Sequence, residues 1–298
     1  MGSFFSAVKK ETSPEIPRII YGTAWKGENT ATLTYEALRC GYRGIDTAAQ
    51  PENYREDLVG VGIRRAISEG IVNRSDIYIQ TKFTPPCGQG KGLWPYDATA
   101  SITAQVYQSC QSSLKNLSTD DNIPIDCLVL HCHLRSFEET LDAWKAMEQL
   151  VPHNVRTLGI SNIDAGNLAM LYEAVTLKPA VVQNPFYEGN KLDKDVRSFC
   201  TSHHISYQAF WVIKKNAHLL QSENLCNEAQ TVDVSVELKL LYFVSQLENS
   251  TVLVGSSNLV HLKENIEGFR RLSKWYTSEE GSSAWLASEY QFRELIRV

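Results

Sequence analysis

What the 298-residue sequence lacks narrows the field before any motif is read. No apolar run approaches the roughly 20 residues that a membrane-spanning helix needs. The opening MGSFFSAVKK has no apolar core of the kind a secretory signal carries, so a cytoplasmic chain is expected. The 29 Lys and Arg are scattered along a chain of formal net charge -5, which gives no general attraction to nucleic acid. Seven cysteines, an odd and dispersed number, suit reduced thiols rather than a disulfide framework. There is no low-complexity stretch, no linker and no residue-level repeat. Missing too is a Gly-rich dinucleotide turn: IIYGTAWKGEN has two glycines but not the G-x-G-x-x-G spacing, so a Rossmann cofactor site lacks support.

Two small motifs lead nowhere further. Gly2 after Met1, with Ser6, fits the short and common pattern for N-myristoylation, whose bland reading is an unstructured lead-in. In LHCHL, His131, Cys132 and His133 suggest a metal, but neighbours one apart on a strand face opposite sides. His131 and His133 share a face, yet no further ligand group lies nearby in sequence, and no metal is expected.

What the chain does have is a recurring unit of short apolar strand, polar loop and amphipathic helix. The strands are RIIYGT, GYRGIDTA, IYIQTKF, DCLVLHC, TLGISN, AVVQNPF, ISYQAF and TVLVGSS. Between them lie helical patterns such as REDLVGVGIRRAISEG, ASITAQVYQSCQSSLKNL, SFEETLDAWKAMEQLV, AGNLAMLYEAVT, VSVELKLLYFVSQL and LVHLKENIEGFRRL. In SFEETLDAWKAMEQL, Phe137, Leu141, Trp144, Met147 and Leu150 form one apolar stripe, and Ser136 with Glu139 resembles a capping box. Eight such units fit a closed (β/α)8 barrel, an α/β fold in a single domain, better than an open sheet. The expected division is a lead-in over residues 1–17, the barrel over 18–271, and a tail over 272–298 near the substrate mouth.

In such a barrel the active site lies where the strands end. The second strand ends at Asp46, the third at Lys82, the fourth at His131, the fifth at Ser161 and Asn162. The sixth ends at Gln183 and Asn184, and the seventh at Phe210 and Trp211; Ser256, Ser257 and Asn258 follow the eighth. Asp46 and Lys82 on adjacent strands can pair, although a plain structural ion pair would look the same. A cation beside a phenol favours phenolate, and Tyr54 is the phenol that the loop after Asp46 delivers. A tyrosine so placed is a general acid, with His131 to orient the oxygen that receives the proton. That is equipment for protonating a carbonyl oxygen while a cofactor delivers hydride to its carbon.

At this point the chain resembles the aldo-keto reductases, in the branch common in fungi. The likeness runs from about Arg18 to about Arg271 through YGTAWK, GIDTAAQPENYREDLVGVGIRRA, IYIQTKFTP, IDCLVLH, LGISN, VVQNPFY, YQAFW and VLVGSSNLVHLKENIEG. It implies a barrel that binds NADPH extended, with Asp46, Tyr54, Lys82 and His131 as the catalytic tetrad: Tyr54 as proton donor, Lys82 lowering its pKa, Asp46 holding Lys82. It implies further that Ser161, Asn162 and Gln183 meet the nicotinamide amide and that Phe210 stacks on the ring. Ser256, Asn258 and Asn265 would hold the adenosine end, and Gly22, Thr23, Trp211 and His261 would complete the cofactor contacts. Gly255 and His261 stand where many members carry a Lys and an Arg for the 2'-phosphate. Lys214, Lys215 and Lys263 are candidates to replace them, and NADH is not excluded. His133 stands where this branch more often has proline. Trp25 and Trp94 are candidates to line an apolar substrate pocket, with ordinary loop packing as the alternative. The reaction expected is reduction of a small-molecule aldehyde or ketone to an alcohol. Two other roles share the barrel: a non-catalytic cofactor-binding regulatory subunit, and a biosynthetic isomerase or dehydratase.

Overall fold

The computed structural model describes residues 15–119 and 124–296; the Gly2 pattern and most of the expected lead-in lie outside the described residues. Eight parallel strands close into a barrel in chain order: β1 (Ile19–Gly22), β2 (Gly44–Asp46), β3 (Tyr78–Phe83), β4 (Ile125–Leu130), β5 (Val155–Ser161), β6 (Val181–Pro185), β7 (Ser206–Phe210) and β8 (Ser250–Val254). β8 pairs back onto β1 through Ile20 and Leu253, which closes the sheet. The helices are α1 (Thr30–Cys40), α2 (Glu56–Ser68), α3 (Ile102–Leu117), α4 (Phe137–Glu148), α5 (Ala165–Ala174), α6 (Lys194–Ser202), α7 (Glu223–Val232), α8 (Val236–Gln246), α9 (Leu259–Tyr276) and α10 (Glu279–Leu295). The (β/α)8 barrel expected from the sequence is the fold, in a single domain.

Each strand carries two faces, because side chains alternate along an extended chain. On β3, Tyr78 joins the small lumen cluster with Ile20, Cys127, Val129 and Val181, whereas Ile79 and Phe83 join the larger core beneath the helices. The same period carries Gln80 and Lys82 onto the lumen side with Tyr78. Side chains therefore plug the lower lumen, and polar groups appear only toward the strand ends. Gly44 has no room for a side chain there: a Cβ would lie 2.8 Å from Ile20 Cγ1.

The helices bury the stripes that their sequences mark. On α4, Trp144 and Met147 are wholly buried, Phe137 and Leu141 pack against the same core, and Ser136 Oγ accepts from the Glu139 N–H at 3.2 Å. α2 and α3 approach most tightly at Gly60, where a Cβ would fall 1.8 Å from the Asn116 carbonyl oxygen.

The tail takes a different place from the one expected. Its helix α10 lies on α8 and α9: Trp285 stacks on Phe243 at 5.4 Å and meets Tyr276 at 4.7 Å, and Phe292 stacks on Phe243 at 5.1 Å. Trp285 and Phe292 find their partners on the outer helical layer, while Leu286 and Tyr290 of the same helix stay exposed. Among the described residues none of the tail lines the large cleft at the barrel mouth.

Candidate active site

The strand ends build the site from the inside outward. Lys82, almost wholly buried, donates from Nζ to both carboxylate oxygens of Asp46 at 2.7 Å and to the Thr47 carbonyl at 2.9 Å. Asp46 Oδ1 also accepts from Gln80 Nε2 at 2.6 Å and Gln183 Nε2 at 2.9 Å. Beneath it Gln208 closes an amide ring: its Oε1 accepts from Gln80 and Gln183 at 2.7 and 3.0 Å, and its Nε2 donates to Gln80 Oε1 at 2.8 Å. A buried charge pair persists when its remaining donors and acceptors are filled, and here strands β2, β3, β6 and β7 fill them.

The loop after β2 then turns to present Tyr54. Gln50 O accepts from the Asn53 and Tyr54 amides, and Gln50 Nε2 donates to the Gly88 carbonyl at 2.6 Å. On the other flank Trp25 donates from its backbone and its indole to Asn53, at 2.7 and 3.0 Å. Pinned on both sides, Tyr54 lies with its ring centre 5.4 Å from Lys82 Nζ and 6.1 Å from the His131 ring. Among the described residues its hydroxyl has no protein hydrogen-bond partner, and the side chain lines the cleft.

The electrostatics depart from the expectation that Lys82 lowers the phenol's pKa. Burial, and after it the negative charge of Asp46, push Tyr54 above the ordinary phenol range. Lys82, gripped by both oxygens of that carboxylate, does not offset these two effects on the phenol. Tyr54 is therefore a protonated phenol at neutral pH, a state that can donate. His131 is held neutral: burial first, then the Lys82 charge, bring its pKa from 6.5 down to about 3. Its Nδ1 lies 2.7 Å from the buried Thr84 hydroxyl.

A cleft of about 1220 Å³ opens above these groups and runs outward past β7 and β8 to α8 and α9. Of the residues expected there, Gly22, Trp25, Tyr54, His131, Ser161, Asn162, Gln183, Phe210, Trp211, Ser256, His261 and Asn265 line it. Ser161 Oγ donates to the Gln183 carbonyl at 2.6 Å. Asn162, in the left-handed region with φ 54°, donates to the His131 carbonyl at 2.9 Å. Its Oδ1 and Gln183 Oε1 are acceptors without a protein partner among the described residues. The Phe210 and Trp211 rings stand edge to face, 5.1 Å apart.

Four expected residues do not line the cleft, and one of them, Lys82, is buried in its grip on Asp46. Thr23 is fully buried and turns its hydroxyl inward to the Asp46 carbonyl at 2.9 Å, so it holds the end of β2 instead. Asn258 caps α9 by accepting from the Val260 N–H at 2.9 Å. Trp94 donates to the Gly90 carbonyl at 2.9 Å and packs on Tyr96 at 5.7 Å, which is the loop-packing alternative. His133, whose role the sequence leaves open, borders a separate small hollow with Arg135 and Asn167.

One contributor went unnoticed in the sequence although it lies inside YGTAWK. Lys26 donates from Nζ to the Gly255 carbonyl and stands 3.7 Å from where a Cβ of Gly255 would be. A cation from the β1 loop thus occupies ground that Gly255 leaves bare. Of the candidates named earlier, Lys214 lines the cleft, Lys215 lies over the Trp211 ring at 5.5 Å, and Lys263 faces Glu267 at 3.6 Å. Arg271 joins Lys26 and Lys214 on the cleft wall, opposed by Asp233, Glu237, Glu264 and Glu267.

Known proteins share this sequence pattern and fold. A profile of the aldo/keto reductase family matches residues 18–276. The chain is 31% identical over 206 residues to an NAD(P)H-dependent D-xylose reductase of Pachysolen tannophilus, covering 60% of this chain and 59% of that protein. It is 28% identical over 272 residues to a glyoxal reductase of Bacillus subtilis, covering 90% and 88%. An aldo/keto reductase structure from Brucella melitensis superimposes with a TM-score of 0.68 at 26% identity, over 85% of this chain and 89% of that one.

Proposed function

The chain belongs to the aldo/keto reductase family, and from that premise we propose that it reduces an aldehyde or ketone to an alcohol with Tyr54 as the proton donor. The observation that carries the reading is a protonated phenol set over a buried, compensated Lys82–Asp46 pair, with a neutral imidazole across from it. A bound nicotinamide dinucleotide supplies the hydride. Tyr54 gives its proton to the carbonyl oxygen, and the Lys82 ammonium lies over the ring of the phenolate left behind. If Thr84 donates to His131 Nδ1, the imidazole keeps its proton on Nε2 and presents it to the same oxygen.

The cleft fits an extended dinucleotide. The acceptors on Asn162 and Gln183 suit a carboxamide, Phe210 and Trp211 offer aromatic faces, and Lys26, Lys214 and Arg271 suit phosphates. NADPH is the dinucleotide proposed, supported by the cation that Lys26 places beside Gly255. NADH is the second reading, favoured by the four carboxylates at the same end.

The test is a titration of the purified protein with each dinucleotide, followed by tryptophan quenching, and then a carbonyl panel for the native protein and Tyr54→Phe. The variant is expected to bind dinucleotide as before and to lose about 10²–10⁴-fold in turnover. Near-native turnover in the variant would remove Tyr54 from its role, and binding of neither dinucleotide would end the reductase reading.

A further inference from the structure

Two thiols meet beside His131 in a way the carbonyl chemistry does not use. Cys87 lies in the single 3-10 turn Pro86–Gly88 just after β3, and Cys132 lies two residues past the end of β4. β3 and β4 are paired neighbours through Phe83 and Leu130, and the His131 amide continues that pairing by donating to the Phe83 carbonyl at 2.9 Å. Cys132 Sγ lies against the Cys87 turn, 3.4 Å from the point a Cβ on Gly88 would occupy. With burial as the main cause, Cys87 helps raise the Cys132 thiol, and both cysteines help raise the Tyr96 phenol. A disulfide bridges Cα separations of about 4.4–6.8 Å, and the Cys132 sulfur lies against the residue next to Cys87.

We propose that Cys87 and Cys132 are a reversible redox pair, whose disulfide straps the loops after β3 and β4 together over the Thr84–His131 hydrogen bond and suppresses turnover. The effect on turnover rests on the functional reading above; the cross-link itself does not. Exposure makes Cys87 the attacking thiol, whereas Cys110, Cys127 and Cys200 are buried away from any oxidant. Burial and the neighbouring Cys87 push the Cys132 thiol up to about 12, so it waits as a protonated partner.

The oxidant is a hydroperoxide. The Cys87 thiolate attacks one peroxide oxygen, the O–O bond breaks, and a sulfenic acid forms with release of hydroxide. Cys132 sulfur then attacks the Cys87 sulfur; the S–O bond breaks, and the Cys132 proton leaves with the departing hydroxide as water. Overall, two thiols lose two electrons and the peroxide becomes two waters, or water and an alcohol. The strap joins the turn after Thr84 to the residue after His131; the Thr84 hydroxyl holds His131 Nδ1, and its carbonyl accepts from Tyr96 at 2.7 Å. A shift of about 1 Å in the imidazole is enough to disturb its alignment with a carbonyl oxygen.

The test uses the full chain, reduced, desalted and treated with stoichiometric hydrogen peroxide. Expected are a mass loss of about 2 Da, a peptide pair joining Cys87 to Cys132, and reversal by dithiothreitol. Dinucleotide quenching should persist while carbonyl turnover falls roughly tenfold or more. Cys87→Ser should turn over like the reduced native protein and keep that turnover under peroxide. Oxygen addition without a cross-link, or a cross-link to another cysteine, overturns the pair. A cross-linked protein that turns over like the reduced one overturns the switch. A cross-link in a protein that reduces no carbonyl leaves the pair standing and removes the reductase reading instead.

Discussion

The neutral imidazole of His131 has a consequence that stability measurements can read without any substrate. In the native protein its pKa lies at about 3, against the ordinary 6.5 of an exposed histidine, with burial as the main cause and the Lys82 charge second. The folded pKa is depressed, so between these values the unfolded chain binds a proton that the folded chain refuses. Stability is therefore fully present above pH 6.5 and declines as pH falls toward about 3. The slope for one such group is about 1.4 kcal/mol per pH unit. Between pH 6.5 and about pH 5, His131 alone should remove about 2 kcal/mol. His131→Asn is near the imidazole in size and does not titrate, so the comparison isolates the effect from the other histidines. Urea unfolding of both proteins across that range should show the native protein losing stability faster by that amount. Parallel curves would refute the neutral imidazole and with it the donor role proposed for Nε2.

Two further outcomes test the scaffold. Asp46→Ala strands the buried Lys82 ammonium and the Gln80 and Gln183 amides, and should cost about 3–5 kcal/mol in urea unfolding, part of which Asp46→Ala with Lys82→Met recovers; a loss below about 1 kcal/mol would make the pair no stronger than a surface one. Gly60→Ala raises helix propensity by up to about 1 kcal/mol, yet it sets a methyl 1.8 Å from the Asn116 carbonyl, so a net loss of about 1–3 kcal/mol is expected, and unchanged stability would show that α2 and α3 separate easily.

Much of the fold was legible because a barrel strand is a short apolar run that ends in polar residues. DCLVLHC and TVLVGSS carry that signal in their own composition. Helices α1, α7 and α10 were not, because TATLTYEALRC mixes in β-branched threonines and α7 and α10 carry few apolar positions, buried only by particular neighbours. The proposed tetrad was readable as strand-end chemistry, and the structure brings Asp46, Tyr54, Lys82 and His131 together. The phenol's electrostatics were not readable, because the double grip of Asp46 on Lys82 is a matter of geometry rather than of which residues are present. The same holds for Thr23 and Asn258, whose side chains turn to backbone groups instead of to the cleft. Lys26 escaped notice because its partner Gly255 lies 229 positions away in sequence.

The amide ring of Gln80, Gln183 and Gln208 has a bearing on how this protein can change over evolutionary time. Each glutamine is a donor or acceptor for at least one other, and two of them also serve Asp46. Replacing any one leaves its neighbours with orphaned polar groups, each costing about 1–3 kcal/mol in a sealed interior. The set can therefore be inherited or lost together, but not traded one residue at a time. At the rim above it Trp25 and Trp211 are exposed, so replacing either leaves no polar group sealed from water. Descendants of this chain can revise what they bind at the rim while the floor beneath their chemistry stays fixed.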